Sequence, residues 1–385
     1  MRIALVVPGG VDRSGRERVI PALLWLIERL ARRHEVVVLS LGQEREPASW
    51  PLLGARVVDL GVLVPSPLPG LAMLRRLRAA AAFFRAETAR VPLDVVHAFW
   101  ASPCGFIAAV SAPRGVPLVV SLAGGELAAV PSIGYGVQLV ARERVKVAFA
   151  LRRAAAVTAA SIPMIEAAAR HGVAARLVPL GVPAEGFAQR VRASGPGCGP
   201  GPGPGPAPFR LVHVASLNQV KDQSTLLAAL ALARAEEPDI VLEVAGEDTL
   251  GGAVQREAAR LGLGDAVRFH GLLPVEGVRA LLARSDLLVV SSLHEAGPLA
   301  VVEAAACGVP TAGTAVGHVA EGNGTRSLAV PPGDARALAR AIVALRRDPA
   351  RLARLGAAAL AWARENDADS TAARFCALYA EVTAR

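Results

Sequence analysis

Residues 286–321 read DLLVVSSLHEAGPLAVVEAAACGVPTAGTAVGHVAE. An apolar run of strand length passes into a polar turn, and a small-residue stretch of helical character follows, broken by one carboxylate, Glu303. Gly297 and Pro298 mark the helix start, because proline is tolerated at the first helical position, where its missing N–H costs nothing. Glu295 lies eight residues before Glu303. Taken as helical positions, the two return to within roughly 80° of one face, with carboxylates about 12 Å apart.

The neighbours of Glu303, AVVEAAACG, are small or apolar. An unpaired carboxylate packed among them needs a hydrogen-bond donor, such as a ligand hydroxyl, or it titrates to neutrality. The helix start over Gly297, Pro298 and Leu299 offers free backbone N–H groups and the positive end of the helix dipole, a seat for phosphate. Two carboxylates at this separation leave room for a nucleotide diphosphate sugar. This segment alone is equally well read as a surface cap followed by a helix whose glutamate reaches solvent.

The alternation of strand and helix extends along the chain. RIALVVP (2–8) reads as a buried strand, VIPALLWLIERLARR (19–33) as a helix and HEVVVLSL (34–41) as a second strand, the βαβ unit of a parallel sheet. DVVHAFW (94–100) and VPLVVSLAGGEL (116–127) are further strands, which puts His97 near a ligand-bearing strand end, although a histidine there serves structure as readily as chemistry. Residues 154–183 read strand, helix, strand. FRLVHVASL then opens a second parallel sheet, IVLEVAGED (240–248) ends on Gly246, VRFHGLLP (267–274) follows, and the chain from 331 onward is helical with a cap at Asp334. Two cores are expected of 385 residues. Their boundaries are read as 1–193, a linker SGPGCGPGPGPGPAP (194–208) without side chains for a core, and 209–365.

A composition of 53% hydrophobic and 19% charged residues belongs to a packed globular protein, and a net charge of +9 favours anionic partners. No aromatic-rich basic motif argues for nucleic acid. Cys104, Cys198, Cys307 and Cys376 form neither a CxxC pair nor a framework, as expected of reduced thiols in the cytosol, and no metal site is implied; DAD at 367–369 reads as a helix cap. MRIALVVPGG is too short an apolar run for a signal peptide. Val95–Pro113 carries no Asp, Glu, Lys or Arg, but its prolines and glycine split it into strand, turn and helix rather than a membrane span. Helices at 71–90, with Arg75, Arg76, Arg78 and Arg85, and at 142–153 carry basic residues beside apolar ones. A solvated face is the plain account, and contact with an anionic membrane surface the sharper one.

HEAGPLAVVEAAACGVPTAGTAVGHVAE resembles the signature of family 4 glycosyltransferases, and SGRERVIPALLWLIERLARRHEV is similar to that family's first loop and helix. The resemblance implies an α/β protein of the GT-B fold. Two doubly wound Rossmann-like domains then face each other across a cleft, acceptor side first and nucleotide-sugar donor side second, with a last helix at about 366–385 crossing back to the first. It implies that Glu303 holds the donor ribose, that Glu295 sits by the transferred sugar, and that Gly15 faces the diphosphate. Lys221, which with Lys146 makes up all the lysine of the chain, matches the family's phosphate-gripping lysine. Ser216 stands where the family has an arginine, and Ala123 where it has a histidine, followed by Glu126 at its acidic position. Glu126 is read either as a donor or acceptor contact or as a helix-terminal carboxylate. The backbone around His270 and Leu272 is expected along the base, with Gly246 nearby.

The activity implied is retaining, metal-independent transfer of a sugar from a nucleotide diphosphate sugar to a glycan or lipid-linked acceptor, without a cofactor. Lys221 and Glu295 would be the catalytic pair of a cytoplasmic or peripherally membrane-bound enzyme of cell-envelope polysaccharide synthesis. Two alternatives share the cleft: a GT-B sugar-nucleotide epimerase, and a non-catalytic nucleotide-sugar-binding protein, which Ser216 and Ala123 favour. A dinucleotide dehydrogenase fits poorly, since no GxGxxG follows the first strand.

Overall fold

The computed structural model describes residues 1–62, 70–184, 187 and 207–384. They form two compact units, Met1–Gly181 with Ala368–Arg385, and Val182–Asp367.

The first unit is built on β1 (Arg2–Val7), β2 (Glu35–Ser40), β3 (Ala48–Leu52), β4 (Ala55–Asp59), β5 (Val95–Phe99), β6 (Leu118–Leu122), β7 (Ala156–Ala159) and β8 (Ala175–Leu177). They pair in the order β3-β4-β2-β1-β5-β6-β7-β8, all parallel except the β3–β4 hairpin. Helices α1 (Pro21–Ala31), α2 (Leu71–Arg90), α3 (Phe106–Ser111), α4 (Ala141–Arg153) and α5 (Ile162–Arg170) make the crossovers. All six residues of β1 are buried, because a parallel sheet covered on both faces has no solvent side.

The second unit pairs β9 (Phe209–Val214), β10 (Ile240–Ala245), β11 (Val267–Phe269), β12 (Leu287–Val290), β13 (Thr311–Thr314) and β14 (Ser327–Val330) in the order β11-β10-β9-β12-β13-β14, all parallel. Its helices are α6 (Gln223–Glu236), α7 (Ala253–Arg260), α8 (Val275–Ala283), α9 (Leu299–Ala306), α10 (Gly317–Glu321), α11 (Ala335–Arg347) and α12 (Pro349–Glu365). The strand order reverses direction between β9 and β12. In an open α/β sheet that switch point leaves a crevice outside the carboxyl ends of the two strands.

The final helix, α13 (Ala368–Thr383), returns to the first unit. Phe375, Leu378 and Tyr379 lie in one core with Leu5, Ile27 and Phe99, and Arg29 pairs with Asp369 at 3.0 Å. The division after Gly181 falls earlier than the boundary expected at 193. The physical reason is that Phe187, buried, stacks under the Arg279 guanidinium at 4.5 Å and, with Val182 and Ala184, borders a cavity of about 160 Å³ beside Ala306 and Leu360 of the second unit. Apart from 207 and 208, the linker expected at 194–208, including Cys198, lies outside the described residues.

Helix α2 corrects one reading. Arg76 is not on a basic outer face: it is buried and donates to the Leu41 carbonyl, while Phe83 and Phe84 pack inward. Among the described residues no helix is long and apolar enough to cross a membrane.

Candidate functional site

The crevice at the switch point is framed by the loops after β9 and β12. β12 is fully buried and delivers the chain into Ser291 and Ser292, which are tied down at once. Ser291 Oγ donates to Lys221 O at 2.7 Å, Leu293 N to Val220 O at 2.8 Å, and Thr314 Oγ1 to Ser292 O at 2.6 Å. The two loops are thereby locked together, and the Lys221 ammonium meets Glu295 Oε1 at 2.5 Å while Ser292 Oγ donates to the same oxygen at 2.8 Å.

Glu295 is therefore a loop residue, not part of a helical face shared with Glu303. Pro298 is the cap residue preceding α9 rather than its first helical residue. Proline disfavours helical backbone in the residue before it, and Ala296 and Gly297 form a bend outside α9, which removes the helical-spacing argument. Among the described residues no side chain caps α9; Val301 N donates to Pro298 O at 3.1 Å, and the N–H groups of Leu299 and Ala300 are left for water or a ligand. Gly317, with φ +44°, closes the loop from behind. A Cβ there would stand 2.7 Å from Pro298 Cδ and 3.3 Å from Glu295 O.

Glu303 on α9 is 7% exposed. Among the described residues its carboxylate receives no hydrogen bond. Burial pushes its pKa up to about 7, an effect the nearby Arg279 charge only partly offsets. A half-buried ammonium, free helix N–H groups and a buried acceptor-only carboxylate together suit a ligand with an anionic part and hydroxyl donors.

Beside the crevice, Gly246 ends β10 where no side chain fits, since a Cβ would come within 1.9 Å of Ala215 O and 2.9 Å of Ser216 N. Its N–H donates to Gly271 O at 2.8 Å, and His270 N to Val244 O at 2.8 Å. The His270 ring is turned to Glu243 at 2.5 Å. Although burial opposes it, Arg284 and His270 hold that carboxyl below the usual range. Leu272 stands 75% exposed. Ser216 is half-buried, and its carbonyl accepts from Gln223 Nε2 at 3.1 Å.

The candidates in the first unit behave differently. His97, expected at a ligand-facing strand end, is sealed in the core. Its Nδ1 meets Tyr379 Oη at 2.6 Å and its Nε2 meets Ser121 Oγ at 2.7 Å, with burial pushing the pKa down to about 3. Glu126 is also enclosed, and its carboxylate accepts from the N–H groups of Ala101 (3.2 Å), Ala123 (3.1 Å) and Gly124 (2.7 Å). Burial raises its pKa despite those donors. At 1% exposed, it ties the end of β5 to the turn after β6. Gly15, at φ +64°, sits in a turn closed by its own N–H to Asp12 O at 2.9 Å.

The structure thus brings Lys221, Glu295, Gly297, Pro298 and Leu299 together with Ser216 and Gly246 alongside, and keeps His97 and Glu126 for the architecture of the other unit. Ser291, Ser292, Thr314 and Gly317 were not singled out from the sequence. The signal available was the serine pair directly after an apolar strand. Among the described residues no group of three or more His, Cys, Asp or Glu is placed to hold a metal ion.

Residues 19–183 match the family described as Glycosyl transferase 4-like domain, and residues 204–362 match Glycosyl transferases group 1. A D-inositol 3-phosphate glycosyltransferase of Thermobispora bispora is 31% identical over 186 residues, 46% of this chain and 44% of that protein. The match therefore spans less than half of that relative's own length. Sucrose-phosphate synthase of Thermosynechococcus elongatus superposes with a TM-score of 0.78 at 20% identity over 100% of both chains. HepE of Anabaena in complex with UDP and glucose superposes at 0.72 and 18% identity over 99% of this chain and 100% of that one.

Proposed function

We propose that this chain, which belongs to the GT-B glycosyltransferases with a 4-like first domain and a group 1 second domain, moves a sugar from a nucleotide diphosphate donor to an acceptor hydroxyl, with retention of configuration and without a required metal. The observation that carries this reading is the Lys221–Glu295 pair at the switch point, beside the helix that holds the buried, unbonded Glu303. Lys221 and the α9 N–H groups stabilise the leaving diphosphate, the charge that grows in the transition state. Glu303 accepts from the ribose hydroxyls and Glu295 orients the sugar. No side-chain nucleophile is needed. The UDP in the HepE complex supports a nucleoside diphosphate as the leaving group, and the inositol-phosphate relative supports a hydroxyl-rich acceptor.

We place the enzyme in the cytoplasm, acting on a glycan or lipid-linked acceptor of the cell envelope. Arg142, Arg144, Arg152 and Arg153 of α4 are exposed, Val145 beside them is 67% exposed, and Arg144 and Arg152 line a groove of about 570 Å³ over Val147 and Leu151. That combination supports peripheral contact with an anionic membrane.

Titration with UDP, GDP and ADP sugars, followed by release and transfer assays, tests the reading. If Glu303→Ala changes neither donor affinity nor turnover, the assignment is wrong. Ala123 and Ser216 favour a second reading, a binding protein without turnover, which donor binding with neither hydrolysis nor transfer would select.

A further inference from the structure

His213 lies on β9, 2% exposed, with Nδ1 2.9 Å from Val289 O of β12. A carbonyl only accepts, so Nδ1 carries the proton and Nε2 is left as an acceptor. Gln223 Nε2 stands 3.3 Å from that nitrogen and 3.1 Å from Ser216 O. Both amide hydrogens are therefore used, and the amide orientation is fixed, because the reverse would set its oxygen against two acceptors. Gln223 is 3% exposed, and its Oε1 has no partner among the described residues. An amide kept only for packing would not leave a buried acceptor unpaired, since an apolar side chain of the same shape avoids that loss.

The two ends of this stack lead to the two loops of the site. Ser216 begins the turn that reaches Lys221, and Val289 precedes the segment that carries Glu295.

We propose that Gln223 and His213 are positioning residues for the donor-phosphate end of the site: Gln223, oriented by His213, fixes the Ser216 carbonyl and the turn through Lys221 against β12, and so sets where the Lys221 ammonium meets the diphosphate. This rests on the donor reading above. With Ser216 in place of a guanidinium fork, the phosphate grip depends on the placement of one point charge. Neutral His213 is part of the device. Burial, with a smaller contribution from Lys221, outweighs the Val289 carbonyl and Glu295 and pushes its pKa down to about 4, so it remains an acceptor at neutral pH.

The test uses the full chain, with wild type titrated calorimetrically against UDP, GDP and ADP and the tightest of these taken as the probe. Gln223→Leu leaves His213 Nε2 and Ser216 O without their donor, so it is expected to melt somewhat lower than wild type. It should bind the probe about tenfold more weakly, beyond what that loss explains, with donor KM rising by more than kcat falls. Gln223→Glu cannot donate to Ser216 O while ionised. It should bind weakly at pH 8 and recover relative to wild type as acid protonates it. If both variants bind like wild type, or lose affinity only in step with melting temperature and without that acid recovery, the positioning role is overturned. Should Gln223→Leu not fold, the acid recovery of Gln223→Glu decides alone. A wild-type chain that binds none of the three diphosphates overturns the donor reading itself.

Discussion

Lys221 Nζ lies 2.5 Å from Glu295 Oε1, so each is the counterion of the other before any ligand arrives. On the proposed donor site, a diphosphate would have to compete with Glu295 for the ammonium and would free the carboxylate toward the sugar. Lys221→Ala should weaken donor binding by about tenfold or more, because a charge-assisted contact to phosphate is lost. Glu295→Gln should keep or tighten donor diphosphate binding while lowering kcat on the order of a hundredfold. Calorimetry with the diphosphate and transfer kinetics with the sugar nucleotide separate the two. Equal effects on binding would show that the pair does not divide its roles this way.

Glu303 places binding and stability in opposition. Its folded pKa, raised by burial from the ordinary 4.5 to about 7, means that between those values the folded state holds a proton that the unfolded state has released. Stability is therefore fully present below pH 4.5 and falls as pH rises from there through 7. Glu303→Gln removes that penalty and should stabilise the chain at pH 8 by on the order of 2 kcal/mol, with little effect at pH 4. Donor affinity should fall all the same. Denaturant melts at both pH values, with a donor titration at pH 8, check both halves of this prediction.

The opposite sign applies to His97. Held neutral by burial, with its pKa down to about 3, it contributes stability above pH 6.5 that is lost as pH falls toward 3. His97→Leu should flatten the acid limb by up to one proton. It should also cost about 1–3 kcal/mol at pH 7, because the Tyr379 hydroxyl loses its partner inside the core and Ser121 Oγ is left with Thr158 alone. A transition as steep in acid as that of wild type would exclude this histidine as the sensor.

Gly317→Ala tests the loop geometry without touching a charge. With φ at +44° and a Cβ 2.7 Å from Pro298 Cδ, the alanine must push the Glu295–Pro298 turn aside. Turnover should fall about tenfold or more. Stability should drop by about 1–3 kcal/mol. An alanine variant with wild-type kinetics would mean that the turn tolerates displacement.

Much of the fold is legible in the sequence because parallel strands buried on both faces read as continuous apolar runs; RIALVV and DLLVV leave little choice. The Glu295–Glu303 segment is legible as a site but not as a geometry. The helical spacing runs back through Gly297 and Pro298, across the residues that precede the start of α9. His97 and Glu126 show a second limit. A polar residue at or near a strand end faces a ligand or the core depending on partners far away in sequence, here Tyr379 in one case and the Ala101 amide in the other. Arg76 reads as an outer-face residue for the same reason, since its acceptor, Leu41 O, lies far from α2 in the sequence.

The return of α13 to the first unit has a consequence for how the chain is made. Phe375, Leu378 and Tyr379 fill the core around Leu5 and Phe99, yet they are translated after all of Val182–Asp367. At ribosomal speeds the nascent first unit waits on the order of 10–40 s with that apolar surface uncovered, while the second unit can already fold. The N-terminal half is thus assembled first and finished last, with apolar surface open in that interval.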